Sequence, residues 1–381
     1  MKLLHISDLH LGKRVNEYSM IEDQEFIIKQ ILKIIDEQMT DGVIIAGDVY
    51  DRKDPSTEAI QLFDEFLVGL HKKNQKIFII SGNHDSAEKI AFAGRLLIDN
   101  DIFISPVYNG YIEPVTMEDE YGKLNFYLLP FVKPVHVKRY SDKADEINNY
   151  TDAIRVVVDD MDIDSSQRNI LVMHQFVTGA QRSDSEEISV GGLDEVSADV
   201  IGMFDYVALG HIHGPQKIAQ KDNIRYCGTP LKYSFSEMNH KKAALIINVK
   251  EKGNIEYEEI PFIPLRDMYS IEGTYDVITS KSFYDGKPFK NGYLEIVLKD
   301  ETEVPEAMNR LRVIYPYIMK LRYDNTRTRT QSNVGAAQNV EEKSQFELFS
   351  ELFILQNGVN FSEKQSEYVT AMIEKVWGGD N

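Results

Sequence analysis

Cysteine is nearly missing from this chain of 381 residues: Cys227 stands alone, so no intramolecular disulfide can form, which suits a reducing compartment. No run of about 18 consecutive apolar residues occurs, and the start, KLLHIS, lacks the apolar core of a signal peptide, so a cytoplasmic chain that spans no membrane is expected. Basic residues are outnumbered, 42 Lys and Arg against 61 Asp and Glu, for a formal net charge of -19. That balance excludes a protein that coats nucleic acid by bulk electrostatics, because neutralising phosphates requires clustered cations. It does not exclude an enzyme that cuts nucleic acid, since carboxylates that hold metal count as negative in the formal sum and basic patches are local. A chain of this length is expected to hold one large core and one or two smaller units.

What is present is a repeated pattern. Five hydrophobic runs stop at a residue able to bind a metal: LLHIS at Asp8, VIIAG at Asp48, FIISG at Asn83, ILVM at His174 and YVALG at His211. Apolar, β-branched runs of this length read as buried strands, and in an α/β sheet ligands gather beyond the carboxyl ends of the strands. The five ends therefore point to one place, which also receives His10, His84 and His213. Five of the nine histidines fall in this ordered set; His5, His71, His136 and His240 have no such context and read as structural.

Oxygen and imidazole donors without thiolates suit Mn, Fe or Zn rather than a structural zinc clip or an iron–sulfur cluster. Eight such residues are too many for one ion. Two ions about 3.5–4 Å apart orient a phosphate and stabilise charge on the attacking and leaving oxygens. Asp48, after a central strand, is the candidate bridging carboxylate. Asp8 and His10 stand at i and i+2, which on an extended backbone sends both side chains to one face, and His211 and His213 repeat the spacing. Asn83 offers a neutral carbonyl oxygen. His84 is expected to face substrate and assist the leaving oxygen, with Asp85 orienting it.

Residues 1–264 alternate strands with helices such as Ile21–Gln38 and a helix capped by Ser56. A second unit is expected over 265–325, a linker over 326–340 and two helices over 341–381. This last segment has eight acids against three bases and an aromatic face that two helices cannot bury alone. It either folds back on the chain or docks on a partner. Residues 125–141 contain no acid and carry Phe131, Lys133, Lys138, Arg139 and Tyr140, a candidate nucleic-acid backbone strip, with Lys13, Arg14, Arg52 and Lys53 flanking two metal motifs. The loop Gln181–Glu187 reads as a substrate gate or a surface loop.

The order D-x-H, G-D, G-N-H-D, H, G-H-x-H over residues 8–213 resembles the calcineurin-like metallophosphoesterase superfamily. HISDLHLGKR, GDVYDRKDPS, QFVTGAQRSDSE with ISVGG, and YCGTPLKYSFSE further resemble its SbcD branch, the nuclease subunits of bacterial SbcCD complexes. The resemblance implies an α/β fold, a two-sheet metallophosphoesterase sandwich with a small α+β capping domain, and C-terminal helices for docking an SMC-like ATPase, SbcC. It assigns Asp8, His10, Asp48 and His213 to one Mn2+ ion, and Asp48, Asn83, His174 and His211 to a second, with Mg2+, Fe or Zn as alternatives and His84 catalytic. Asp51 departs from the histidine of archaeal and eukaryotic relatives. The implied activity is ATP-controlled double-strand exonuclease and single-strand or hairpin endonuclease action on DNA in repair and recombination. The nuclease would work as a homodimer within a heterotetramer, and ATP would act only through the partner. The rival enzymatic reading is a stand-alone metallophosphodiesterase acting on a small nucleotide or other phosphoester; a third is a DNA-end tether with a merely structural site.

Overall fold

In the computed structural model, which describes residues 1–186, 194–218, 221–326, 328, 345–357 and 360–377, the chain divides into two compact units, Met1–Met268 and Tyr269–Asn381. The first unit is built on two six-stranded sheets. In one, the parallel strands Lys2–Ile6, Gly42–Ala46, Lys76–Ile80 and Ile102–Ile104 lie side by side, and Ala243–Val249 and Ile255–Pro261 extend the edge in antiparallel fashion. In the other, Gly122–Leu129, Arg168–His174, Tyr206–Gly210 and Lys221–Tyr226 are parallel, flanked by antiparallel Val115–Asp119 and Gln216–Ile218.

Inner strands such as Gly42–Ala46, Lys76–Ile80 and Tyr206–Gly210 are nearly continuous apolar runs because both of their faces are covered, whereas the edge strands Val115–Asp119 and Ile255–Pro261 are partly exposed. Leu3, Ile44, Phe78, Phe126, Ile170 and Ala208 share one core, and Phe78 stacks on Phe126 with centroids 3.9 Å apart. His5 sits in this layer, hydrogen-bonded to the Tyr206 hydroxyl at 2.9 Å, a structural histidine as expected. The crossover helices Ile21–Gln38 and Thr57–Lys72 bury their apolar stripes, and the Ser56 hydroxyl caps the second by accepting from the Ala59 N–H. Helix Tyr150–Asp159 packs Ala153, Ile154 and Val157 into the core that Leu171, Val207 and Ile224 form.

The second unit has a three-stranded sheet, Met268–Gly273, Tyr293–Leu298 and Ile318–Tyr323, over a core of Ile278, Ile296, Leu311 and Tyr315. Helices Gln345–Asn357 and Glu363–Trp377 follow, and Gln365 accepts from the Ser362 N–H at the second helix start. Apart from Thr326 and Thr328, the expected linker 326–340 lies outside the described residues. Among the described residues no helix is long and apolar enough to cross a membrane.

Candidate metal centre

All five strand ends deliver their side chains to one point. The loops after Lys2–Ile6 and Gly42–Ala46 run together, Asp8 N–H donating to Gly47 O and His10 N–H to Asp48 O, each at 3.0 Å. The expectation of an extended backbone at Asp8 and His10 is corrected here: both are left-handed, with φ of +52° and +45°, as are Asp48 at +46° and His211 at +101°. Non-glycine residues enter this region at a cost of about 1–3 kcal/mol each, and such strain concentrates at functional sites. The glycines of the motifs make room. A Cβ on Gly82 would lie 2.1 Å from Asp48 Oδ1, and one on Gly210 would lie 1.9 Å from Ala46 O.

The eight residues singled out in the sequence come together. His10 Nε2 is 3.2 Å from His213 Nε2 and 3.8 Å from Asp48 Oδ2. On the other side of Asp48, His174 Nε2 is 3.2 Å from Oδ2 and 3.1 Å from Asn83 Oδ1, which also contacts His211 Nδ1 at 2.8 Å. Asp8 accepts from the His211 N–H at 3.0 Å. Donor atoms of Asp8, His10 and His213, and of Asp8, Asp48 and His174, lie within 4.8 Å of one another. Asp8 and Asp48 are buried carboxylates whose ion pairs, among the described residues, are with histidines alone. Buried anions at such spacing require cations, and the oxygen and nitrogen donors fit divalent ions.

Similarity to known proteins agrees with this geometry. Residues 1–215 match the calcineurin-like phosphoesterase family, and residues 264–357 the type 5 capsule protein repressor C-terminal domain. The SbcD subunit of the nuclease SbcCD from Staphylococcus epidermidis is 33% identical over 325 residues, covering 84% of this chain and 85% of that protein. The chain belongs to the calcineurin-like phosphoesterases, in the SbcD branch. Similar solved structures include a dimetal phosphatase from Danio rerio, 12% identical over 69% of this chain and 99% of that one with a TM-score of 0.40. Another, from Thermus thermophilus, is 9% identical over 68% of this chain and 98% of that one, at 0.38. As an SbcD-branch phosphoesterase the chain is a metal-dependent phosphodiester hydrolase, a homologue of a nuclease.

Electrostatics in this phosphoesterase site are set by burial and by the two carboxylates. Burial lowers His211 to about 3 and holds His10 well below the ordinary histidine range. His174 goes the other way: burial opposes its charge, but Asp48, through charge and hydrogen bond, and Asp8 raise it to about 9. Asp48 is correspondingly held well below the usual carboxylate range by His174, against its own burial, whereas burial and the neighbouring Asp48 raise Asp8. His174 keeps its Nδ1 proton on Ala46 O at 2.8 Å, so the proton at risk is the one on Nε2, beside Asp48. A divalent ion needs that lone pair. Ion uptake at pH 7 is therefore expected to release about one proton, and apparent affinity to rise with pH until about 9 and then level off. Calorimetric titration of the metal-free protein in buffers of different ionisation heat measures this; uptake without proton release would contradict it.

His84 lies beside the cluster, its ring 4.8 Å from that of His10 and its Nδ1 3.1 Å from Asp51 O. Asp85 does not orient it. Its buried carboxylate instead accepts the N–H groups of Val49, Tyr50 and Gly82, tying the Asp48 and Asn83 loops together, and burial with Asp48 nearby raises it to about 6. Asp51 stands 3.6 Å from His10 Nδ1 and pairs with Lys13 at 2.6 Å, so Lys13 is occupied rather than free for nucleic acid.

A cavity of about 680 Å3 opens beside His84, Asn83 and His211, lined also by Arg52, Lys53, Phe131, Lys133, Phe176 and His136. His136, read from the sequence as structural, thus lines the site. The expected strip 125–141 is corrected in part: residues 125–129 belong to the strand Gly122–Leu129 and are buried, and of the rest Phe131, Lys133 and His136 line the cavity while Lys138, Arg139 and Tyr140 do not.

Proposed function

We propose that this chain is the nuclease subunit of an SbcCD-type complex, hydrolysing DNA phosphodiesters with two Mn2+ ions. The observation that carries the reading is a cavity that opens beside Asn83, His84 and His211 at the edge of the converged cluster, with Arg52, Lys53 and Lys133 in its wall alongside Asp51, Asp85, Glu88 and Asp194. Asp8, His10, Asp48 and His213 would hold one ion, and Asp48, Asn83, His174 and His211 the other. When bound, the ions supply Lewis-acid chemistry that stabilises charge on the attacking and leaving oxygens.

The chain's own groups do the rest. With His84 Nδ1–H donating to Asp51 O, a ring that also carries a proton on Nε2 would give that second proton to the leaving oxygen and return to the neutral form. Arg52, Lys53 and Lys133 offset backbone phosphates, and Phe131 offers a face on which a base stacks. Asn83, being neutral, limits the negative charge a phosphodiester meets. The activity is double-strand exonuclease and single-strand or hairpin endonuclease action in DNA repair and recombination, controlled by ATP through the partner SbcC in the cytoplasm.

Residues 341–381 dock SbcC in this reading. Phe349, Leu352 and Ile354 on one tail helix and Tyr368 and Met372 on the other remain exposed, an apolar surface that favours a partner. Exposed Phe92, Leu96 and Ile98 favour pairing of two copies within a heterotetramer. The deciding test is cleavage of end-labelled linear duplex and hairpin DNA in Mn2+, with and without SbcC and ATP. Metal-dependent cleavage stimulated by partner and ATP is expected; intact DNA alongside hydrolysis of a small phosphodiester would replace the nuclease with a stand-alone phosphodiesterase. Deleting residues 341–381 is expected to abolish co-purification with SbcC while sparing small-phosphodiester hydrolysis, and unaltered co-purification would exclude the tail as the docking element.

A further inference from the structure

His213 is wired to a group of residues that no part of the proposed chemistry uses. Its Nδ1 lies 2.7 Å from Ser185 Oγ, and that hydroxyl donates to Glu237 Oε1 at 2.6 Å. Glu237 is fully buried, and its other oxygen accepts from the Lys242 ammonium. Lys242 donates in turn to His213 O at 2.8 Å and to Thr229 Oγ1 at 2.6 Å. Glu186 completes the grip by accepting the His213 N–H at 2.7 Å while its second oxygen holds Ser183.

Proton directions follow from chemistry. A carboxylate paired with an ammonium only accepts, so the Ser185 proton points to Glu237. The Ser185 oxygen is then left as an acceptor, and His213 must carry its proton on Nδ1. The lone pair is thereby confined to Nε2, which faces His10 Nε2 at 3.2 Å.

We propose that Ser185 and Glu237 are positioning residues that fix His213 as an Nε2 ligand, so that docking of the loop after His174 and ion affinity are one coupled equilibrium. The proposal rests on the reading that Asp8, His10 and His213 share an ion. Ser185 and Glu186 come from the loop, while Glu237 and Lys242 come from the segment before the strand Ala243–Val249. His213 is where the two meet. By linkage, whatever loosens the loop weakens the ion, and the ion steadies the loop by the same factor.

The test is Mn2+ titration of the metal-free full chain by calorimetry and electron paramagnetic resonance, with nitrogen-15 spectra of the histidine rings in the metal-free state. Ser185→Ala is expected to weaken one class of bound Mn2+ by about 10- to 100-fold, the usual cost of losing an outer partner of a ligand, and to spare the other. It is also expected to mix the His213 tautomers. Ser185→Thr, which keeps the hydroxyl, is expected to restore both properties. Glu237→Gln should act like Ser185→Ala; because it leaves Lys242 without its counter-charge, Ser185→Ala, on a partly exposed loop, is the variant that decides. Wild-type affinity and a single tautomer in Ser185→Ala, with His213→Ala losing one ion, would overturn the positioning role. Both ions retained in His213→Ala would instead overturn the ligand assignment beneath it.

Discussion

Asp48→Asn is expected to abolish phosphodiester hydrolysis and to empty the site of divalent metal while leaving the fold intact. The carboxylate is 2% exposed and stands between the two halves of the cluster, its Oδ2 being 3.8 Å from His10 Nε2 and 3.2 Å from His174 Nε2. Asparagine has nearly the same shape, and its oxygen can still accept the His84 N–H that Oδ1 accepts at 2.9 Å. What disappears is the charge. His174 loses the partner that holds it well above the usual histidine range, and Asp8 is left as the cluster's main anion. A ligand shared by both ions should cost more than the ~100- to 1,000-fold of removing one transition-state donor. Metal content by elemental analysis, thermal melting and DNA cleavage would be compared with wild type. Turnover persisting with metal bound would remove the two-ion assignment.

His84→Gln is expected to retain both metals and slow cleavage by about 100- to 10,000-fold, the range for loss of general acid–base action. Its Nδ1 contact with Asp51 O places the ring at the cavity wall, and glutamine can keep a hydrogen bond there while losing the exchangeable proton. The alternative is specific. Donor atoms of His10, Asp48 and His84 also lie within 4.8 Å of one another, close enough to share an ion. Metal lost from His84→Gln would make this histidine a ligand, whereas metal retained with unchanged rates would leave it no role in the chemistry.

Several features of the site were not legible in the chain. His136 looked structural because nothing within a few residues marks it; it reaches the cavity through the short helix Pro134–Lys138. Asp85, beside His84 in sequence, suggested an orienting partner, yet its carboxylate turns to three backbone N–H groups of neighbouring loops. Asp8 and His10 share a face through left-handed backbone and not through extended strand, a distinction that i, i+2 spacing cannot make. Ser185 and Glu237 are 52 residues apart and meet only over His213.

The two-sheet α/β architecture and the gathering of eight candidate metal- and phosphate-binding residues were legible in the chain. Apolar runs must be buried, parallel strands align their carboxyl ends, and a polar residue at each end then has one place to go. Tertiary structure alone decided the finer arrangement: which nitrogen faces its neighbour, which carboxylate braces a loop, and which basic residues rim the cavity. Those choices depend on hydrogen bonds and charges between segments far apart in the chain. Local patterning says where a side chain begins, and only the packed fold says what it meets.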